Sequence, residues 1–216
     1  MMIEWVLFDN DGTLVDSEIL CNQAIVELFA GQAVTLDAHT LTRHYRGGKM
    51  SEILATLARE HQISLPPAFM DDYRQRVAQL FEQHLQPVSG IPELLDALQV
   101  NMAVVSNGPL AKIRQALLLC GLAHHFDNRL YSAFELNQHK PDPALYLTAM
   151  ADLNICAHQC VAIEDSPSGV ASATGAGITT LFYNQYNETL NNDKVIPFTS
   201  MQQVPDILAR LNAQSR

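Results

Sequence analysis

The sequence predicts an α/β protein: a parallel sheet flanked by helices and interrupted early by an all-helical insertion. Three observations carry that prediction. From about residue 87 onward, short Val/Ile/Leu runs alternate with helical patterns in the manner of βαβ units. Across Asp16–Gln86, apolar residues recur at three- and four-residue spacing and no strand signal breaks the series. Ahead of that block stands one apolar run of strand length, Trp5-Val6-Leu7-Phe8, which stops abruptly at two acids.

Taken in order, Trp5 to Phe8 is the first strand, ended by Asp9-Asn10-Asp11-Gly12-Thr13. Asp16 or Ser17 can cap the helix that follows, whose Leu20, Ala24, Ile25, Leu28 and Phe29 share one face up to Gly31. Helices are predicted over 36–45 and 51–61, and Phe69, Tyr73, Val77, Leu80, Phe81 and His84 mark the face of a longer one. Pro92 opens a helix, 101–106 is a buried strand, and Pro109 opens a helix that ends near Gly121. His124-His125 reads as a solvated turn and 130–132 as a weaker strand. Then come a helix over 143–154, a strand over 160–164, a helix over 166–176 and a strand over 178–183. Residues 184–193 form an Asn-rich surface loop and 204–211 a closing helix, with no internal repeat or low-complexity segment.

With 216 residues, 48% of them hydrophobic, the chain can bury one large domain or a domain carrying a smaller one. A net charge of -10 argues against a nucleic-acid or anionic-membrane surface, so an anionic substrate needs a local cation. Cys21, Cys120, Cys156 and Cys160 show neither CxxC nor zinc spacing, which suits reduced thiols. No basic flank precedes an apolar signal core and no run approaches membrane-spanning length, so the expectation is a soluble cytoplasmic protein.

Four of the predicted strands lead into residues that carry chemistry. In an open parallel sheet, ligands bind beyond the carboxyl ends of the strands. Asp9 and Asp11 stand there one residue apart, and two acids so close repel each other. A divalent cation keeps both useful: Mg²⁺ takes oxygen ligands and leaves room for water and a phosphate, while one carboxylate acts as nucleophile and the other moves a proton. Alone, an Asp-Gly pair after a strand is a turn signal. Ser106 and Asn107 end the strand 101–106 with donors that can hold phosphate oxygens without adding charge. Lys140-Pro141-Asp142-Pro143 fixes a lysine before a rigid turn in a chain whose other lysines are Lys49, Lys112 and Lys194. Its ammonium would offset the carboxylates and pair with a phosphate. Glu164 and Asp165 end the strand 160–164 before a helix start, where Asp165 or Ser166 can also serve as N-cap.

These four stretches, in this order, resemble the four motifs of the haloacid dehalogenase superfamily of aspartate-nucleophile phosphatases, and the resemblance covers the whole chain. It implies a three-layer, Rossmann-like core made of residues 1–15 and 87–216, with residues 16–86 as an inserted helical cap. It implies Asp9 as nucleophile, Asp11 as acid and then base, Lys140 as the catalytic cation, and Ser106 and Asn107 as phosphate binders. It further implies Mg²⁺ held by Asp9, the backbone carbonyl of Asp11, and Asp165 or Glu164. The acid at position 11 separates the chain from the true dehalogenases and phosphonoacetaldehyde hydrolases of that superfamily, which lack one there.

Substrate choice is expected in the loop Tyr45-Arg46-Gly47-Gly48-Lys49, with Arg46, Gly47 and Lys49 as binders. This loop and the overall pattern resemble the bacterial 6-phosphogluconate phosphatases, whose substrate carries a carboxylate distant from its phosphate, a partner for Lys49 or Arg46. The β-phosphoglucomutases share core and cap, but they place a histidine in the first cap helix where this chain has Cys21, which favours hydrolysis. A phosphometabolite-binding protein without turnover is the rival from another class, and it would need a broken motif. The resulting expectation is a monomeric Mg²⁺-dependent phosphomonoester hydrolase acting on a small sugar or sugar-acid phosphate, with neither nucleic acid nor membrane as partner.

Overall fold

The computed structural model describes residues 2–45 and 48–214, the side chain of Gln214 aside. The chain divides into two compact units, one made of the residues up to Val15 together with those from Pro87 onward, the other of Asp16–Gln86. It begins with strand β1 (Trp5–Phe8) and enters the helical unit as α1 (Glu18–Ala30), α2 (Ala38–Tyr45), α3 (Met50–Glu60) and α4 (Phe69–His84). It returns as α5 (Ile91–Ala97), β2 (Asn101–Ser106), α6 (Leu110–Leu119), β3 (Leu130–Ser132), α7 (Ala133–Leu136) and α8 (Ala144–Asp152). β4 (Cys160–Glu164), α9 (Pro167–Gly175), β5 (Thr179–Tyr183), β6 (Val195–Phe198) and α10 (Val204–Gln214) complete it.

The six strands form one sheet in the order β3-β2-β1-β4-β5-β6, and every pairing is parallel. This is the α/β fold expected. Because helices cover both faces, β4 is buried at every position and β2 at all but its first residue, so both read as continuous apolar runs instead of alternating ones. Leu7, Ala103, Val105 and Ala162 face a cluster with Leu145, Tyr146, Ala149 and Ala173 of α8 and α9. Successive strand side chains point to opposite faces, and Phe8 packs edge-on against Phe126, with ring centroids 5.9 Å apart. β1 lies inside the sheet, with Phe8 level with Val104 of β2 and Ile163 of β4. That register carries the residues just past three strand ends to one edge.

The helical unit is a small core of its own. Phe29 of α1 meets Phe69 of α4 edge-to-face at 5.5 Å, and Glu27 pairs with Arg76 across the same two helices. The buried Asn22 amide donates to Thr42 Oγ1 at 2.9 Å, tying α1 to α2.

Several elements differ from expectation. β6 falls just beyond the surface loop, where no strand was predicted. It is four residues long and contains Pro197, which a sheet edge tolerates because Pro lacks the N–H a central ladder needs. α2 starts at Ala38, two residues after the predicted 36, because Asp37 Oδ1 caps it by accepting from Thr40 N at 2.8 Å. α10 continues to Gln214, past the predicted end at 211. His125 is not fully solvated as expected: its side chain is 12% exposed, with Nε2 3.5 Å from Asp96 Oδ1, and burial pushes its pKa down. All four cysteines are free, and among the described residues no helix is long and apolar enough to cross a membrane.

Candidate active site

The first candidate group is set by the way β1 ends. Asp9 N donates to Ile163 O at 2.9 Å, extending the β1–β4 ladder by one step, and the chain then turns, with Leu14 N and Val15 N both donating to Asn10 O. Gly12 occupies the turn at φ +77°. A Cβ there would lie 2.3 Å from Asp165 Oδ2, so only glycine allows the two chain segments to approach this closely. Ser166 caps α9 by accepting from Gly169 N at 3.2 Å, which aims Glu164 and Asp165 back toward β1. Gly169 makes room in the same way, since its Cβ would sit 1.8 Å from Glu164 Oε2.

Lys140 joins these acids. Its ammonium donates to Asp9 Oδ1 at 2.6 Å and Val105 O at 2.7 Å, and pairs with Glu164 Oε1 at 2.6 Å, so its three donors are all engaged. Burial disfavours the charge, yet Asp9 and Glu164 outweigh it and hold the lysine above its ordinary pKa. Burial also raises the carboxyls of Asp9 and Glu164, with Lys140 pulling both back. The pair is thus short of positive charge, with two carboxylates sharing one ammonium.

The β2–α6 turn holds the rest. Ser106 Oγ accepts from Gly108 N at 3.0 Å and keeps its own proton to donate. Asn107 clamps the backbone of Lys140, its Oδ1 accepting from Lys140 N at 2.9 Å and its Nδ2 donating to Lys140 O at 3.4 Å. The side-chain amide expected at a phosphate therefore acts here on the lysine's position. Asp11 does not join the acid cluster through its side chain; its Oδ1 accepts from Lys112 Nζ at 2.7 Å.

Two functional candidates carried no sequence signal. Tyr146 of α8 is fully buried and donates to Glu164 Oε1 at 2.5 Å, and burial holds its phenol well above the ordinary value, so it stays a donor. In sequence it is one more core aromatic. Lys112 stands in the first turn of α6, where a lysine looks like a solvated charge. Lys49 lies exposed at the N-cap of α3, while Arg46 and Gly47 fall outside the described residues.

Asp9, Glu164 and Asp165 each offer a carboxylate oxygen, all within 4.8 Å of one another and all buried. Glu164 Oε2 has no hydrogen-bond partner among the described residues. An all-oxygen donor set with an unpartnered carboxylate oxygen and a deficit of positive charge fits a hard divalent cation.

A family model described as Haloacid dehalogenase-like hydrolase matches residues 6–183. The chain belongs to the haloacid dehalogenase-like hydrolases. It is an enzyme, a phosphatase of this superfamily. It is 35% identical to the 6-phosphogluconate phosphatase of Escherichia coli K12, over 95% of this chain and 94% of that one. It is also 34% identical to the validoxylamine A 7'-phosphate phosphatase of Streptomyces hygroscopicus subsp. limoneus, over 82% and 84% of the two chains. Among solved structures, a haloacid dehalogenase family hydrolase from Deinococcus radiodurans with bound phosphate and sodium matches with a TM-score of 0.76 and 28% identity, over 96% of each chain.

Proposed function

We propose that the protein is a Mg²⁺-dependent phosphomonoesterase that forms an aspartyl-phosphate on Asp9 and acts on a small sugar or sugar-acid phosphate such as 6-phosphogluconate. The observation that carries this reading is the buried cluster itself: Lys140 Nζ 2.6 Å from Asp9 Oδ1, with carboxylate oxygens of Glu164 and Asp165 within 4.8 Å of Asp9. The 35% identical 6-phosphogluconate phosphatase supports the substrate class.

Held by Asp9, Asp165 and Glu164 with the backbone carbonyl of Asp11, Mg²⁺ would supply positive charge to the phosphoryl oxygens. Asp9 attacks phosphorus through a carboxylate oxygen, and the bond from phosphorus to the leaving alcohol oxygen breaks as Asp11 delivers a proton to that oxygen. Asp11, now a carboxylate, takes a proton from the water that attacks the phosphorylated Asp9; phosphate leaves and both residues return to their starting state. Lys140 and the Ser106 hydroxyl stabilise charge on the phosphoryl oxygens, and Asn107 serves by fixing Lys140. In this reading the helical unit selects the substrate, through Lys49 and through Arg46 and Gly47. The excess of acids and the four free cysteines fit a cytoplasmic enzyme, here taken to act as a monomer on small molecules alone.

Phosphate release from a panel of sugar phosphates and phosphosugar acids tests the reading. It is expected to require Mg²⁺ and to fall at least about tenfold with a chelator; equal release with chelator present would reject the metal. Tyr146→Phe keeps the ring and removes one hydrogen bond to a charged group, about 1.5 kcal/mol, so kcat is expected to fall about tenfold. A kcat within twofold of wild type, to the ~0.4 kcal/mol precision of such assays, would reduce Tyr146 to a packing residue.

A further inference from the structure

We propose that His124, His125 and Asp96 form a second metal site, which takes a transition-metal dication of the Zn²⁺ class and ties the end of α5 to the turn that follows α6. The site lies away from the reaction centre and does not depend on the proposed chemistry.

One ring nitrogen of each histidine and one carboxylate oxygen of Asp96 all lie within 4.8 Å of one another. His125 Nε2 stands 3.5 Å from Asp96 Oδ1. Tetrahedral Zn²⁺, with ligands at about 2.0–2.1 Å, sets them about 3.3 Å apart, so this pair already has nearly the spacing of two ligands on one ion. The two imidazole rings sit with centroids 3.9 Å apart, tilted by 38°. Among the described residues the His124 ring has no hydrogen bond or ion pair, and the Asp96 carboxylate pairs with His125 alone. An ion pair between His125 and Asp96 accounts for two of the three groups and leaves His124 without a role; a shared cation uses all three. Two imidazole nitrogens and one oxygen suit Zn²⁺ better than Mg²⁺, which takes oxygen ligands.

The fold holds these groups in place. Phe126, next to His125, is fully buried and packs on Phe8, and His125 N donates to Leu122 O at 3.2 Å. Arg129 donates to the carbonyls of Phe126 and His125 and pairs with Asp127, so the neighbouring guanidinium is engaged in fixing the turn. Asp96 directly follows the buried Leu94 and Leu95 of α5. Because Asp96 precedes β2 and the histidines precede β3, the site belongs to the amino edge of the sheet, whereas Asp9, Ser106 and Glu164 stand at the carboxyl edge. The ten residues of α6, about 15 Å long, run between the two edges. A cation bound here therefore acts by cross-linking two connections of the folded chain, and a net charge of -10 favours its approach.

The experiment titrates Zn²⁺ into the full chain in excess Mg²⁺ and reads Tm together with the imidazole NMR signals, in wild type, His124→Gln, Asp96→Asn and Asp165→Asn. At about 100 times its Kd, Zn²⁺ should raise the Tm of wild type by about 5 °C or more, and the signals of His124 and His125 should shift over the same range of concentration. His124 and Asp96 are exposed, so both substitutions should leave the chain folded. Each should raise the Zn²⁺ concentration needed for the response at least about tenfold, because a ligand is lost. Asp165→Asn, which alters the acid cluster, should keep the response. No rise in Tm in wild type, or a rise that persists in His124→Gln and Asp96→Asn and disappears in Asp165→Asn, overturns the inference, since in the second case the ion sits with the carboxylates of the reaction centre.

Discussion

Asp9→Asn is expected to lower kcat on every phosphate ester by about 10⁴-fold or more while leaving the protein folded. The amide is isosteric with the carboxylate and can still accept from Lys140 through its oxygen, and the backbone bond from position 9 to Ile163 O does not depend on the side chain. What it lacks is a nucleophile. Acid-quenched wild-type enzyme mixed with substrate should yield a phosphorylated peptide containing Asp9, and the variant none. Losing the nucleophile removes the covalent route entirely, whereas losing any one stabilising donor weakens it, so this effect should exceed that of Tyr146→Phe by orders of magnitude. Asp9→Asn with more than about 1% of wild-type kcat would mean that water attacks phosphorus directly and that Asp9 serves only as a ligand.

The α/β fold was legible because a parallel sheet buried on both faces writes its strands as apolar runs, and because those runs stop where chemistry begins: Phe8 before Asp9, Val105 before Ser106, Ile163 before Glu164. β6 was not, since its four residues include Pro197 and only one is fully buried, so neither run nor alternation marks it. The candidate cluster was legible as a set of residue types but not as a set of contacts. Glu164 and Asp165 are adjacent acids in sequence; the structure gives them different neighbours within one cluster, with Glu164 bonded to Lys140 and Tyr146 and Asp165 set against Gly12. The Lys112–Asp11 pair spans 101 positions, and nothing local to either residue announces it. Sequence periodicity shows which face a residue takes; it does not show which distant side chain shares that face.

Lys140→Met should cost both activity and stability, and the stability loss should depend on pH. The substitution keeps an unbranched side chain one atom shorter and removes the ammonium that Asp9 and Glu164 share. Loss of one preorganised charge at the phosphoryl group is expected to lower kcat about 10²–10³-fold. Breaking a buried pair by removing one partner leaves uncompensated charge, a cost of about 3 kcal/mol that denaturant titration in the presence of a chelator should read. In wild type, burial raises both carboxyls and Lys140 lowers them; without the lysine the upward influence of burial is opposed only by the smaller Asn10 backbone hydrogen bond at Asp9 and the Tyr146 hydrogen bond at Glu164. An acid whose folded pKa lies above its unfolded one binds more protons when folded, so its contribution to stability falls as pH rises from the ordinary carboxylate range through the raised folded value. Lys140→Met should therefore be distinctly less stable at about pH 8 than at about pH 5, more so than wild type. Adding Asp9→Asn removes one of the two stranded charges and should recover part of the loss at the higher pH, because the two positions are in direct contact and their effects do not add. A single variant whose stability is level across that range would show that Asp9 and Glu164 find their compensation elsewhere, and Lys140 would then count as a phosphate ligand without a role in holding the acids together.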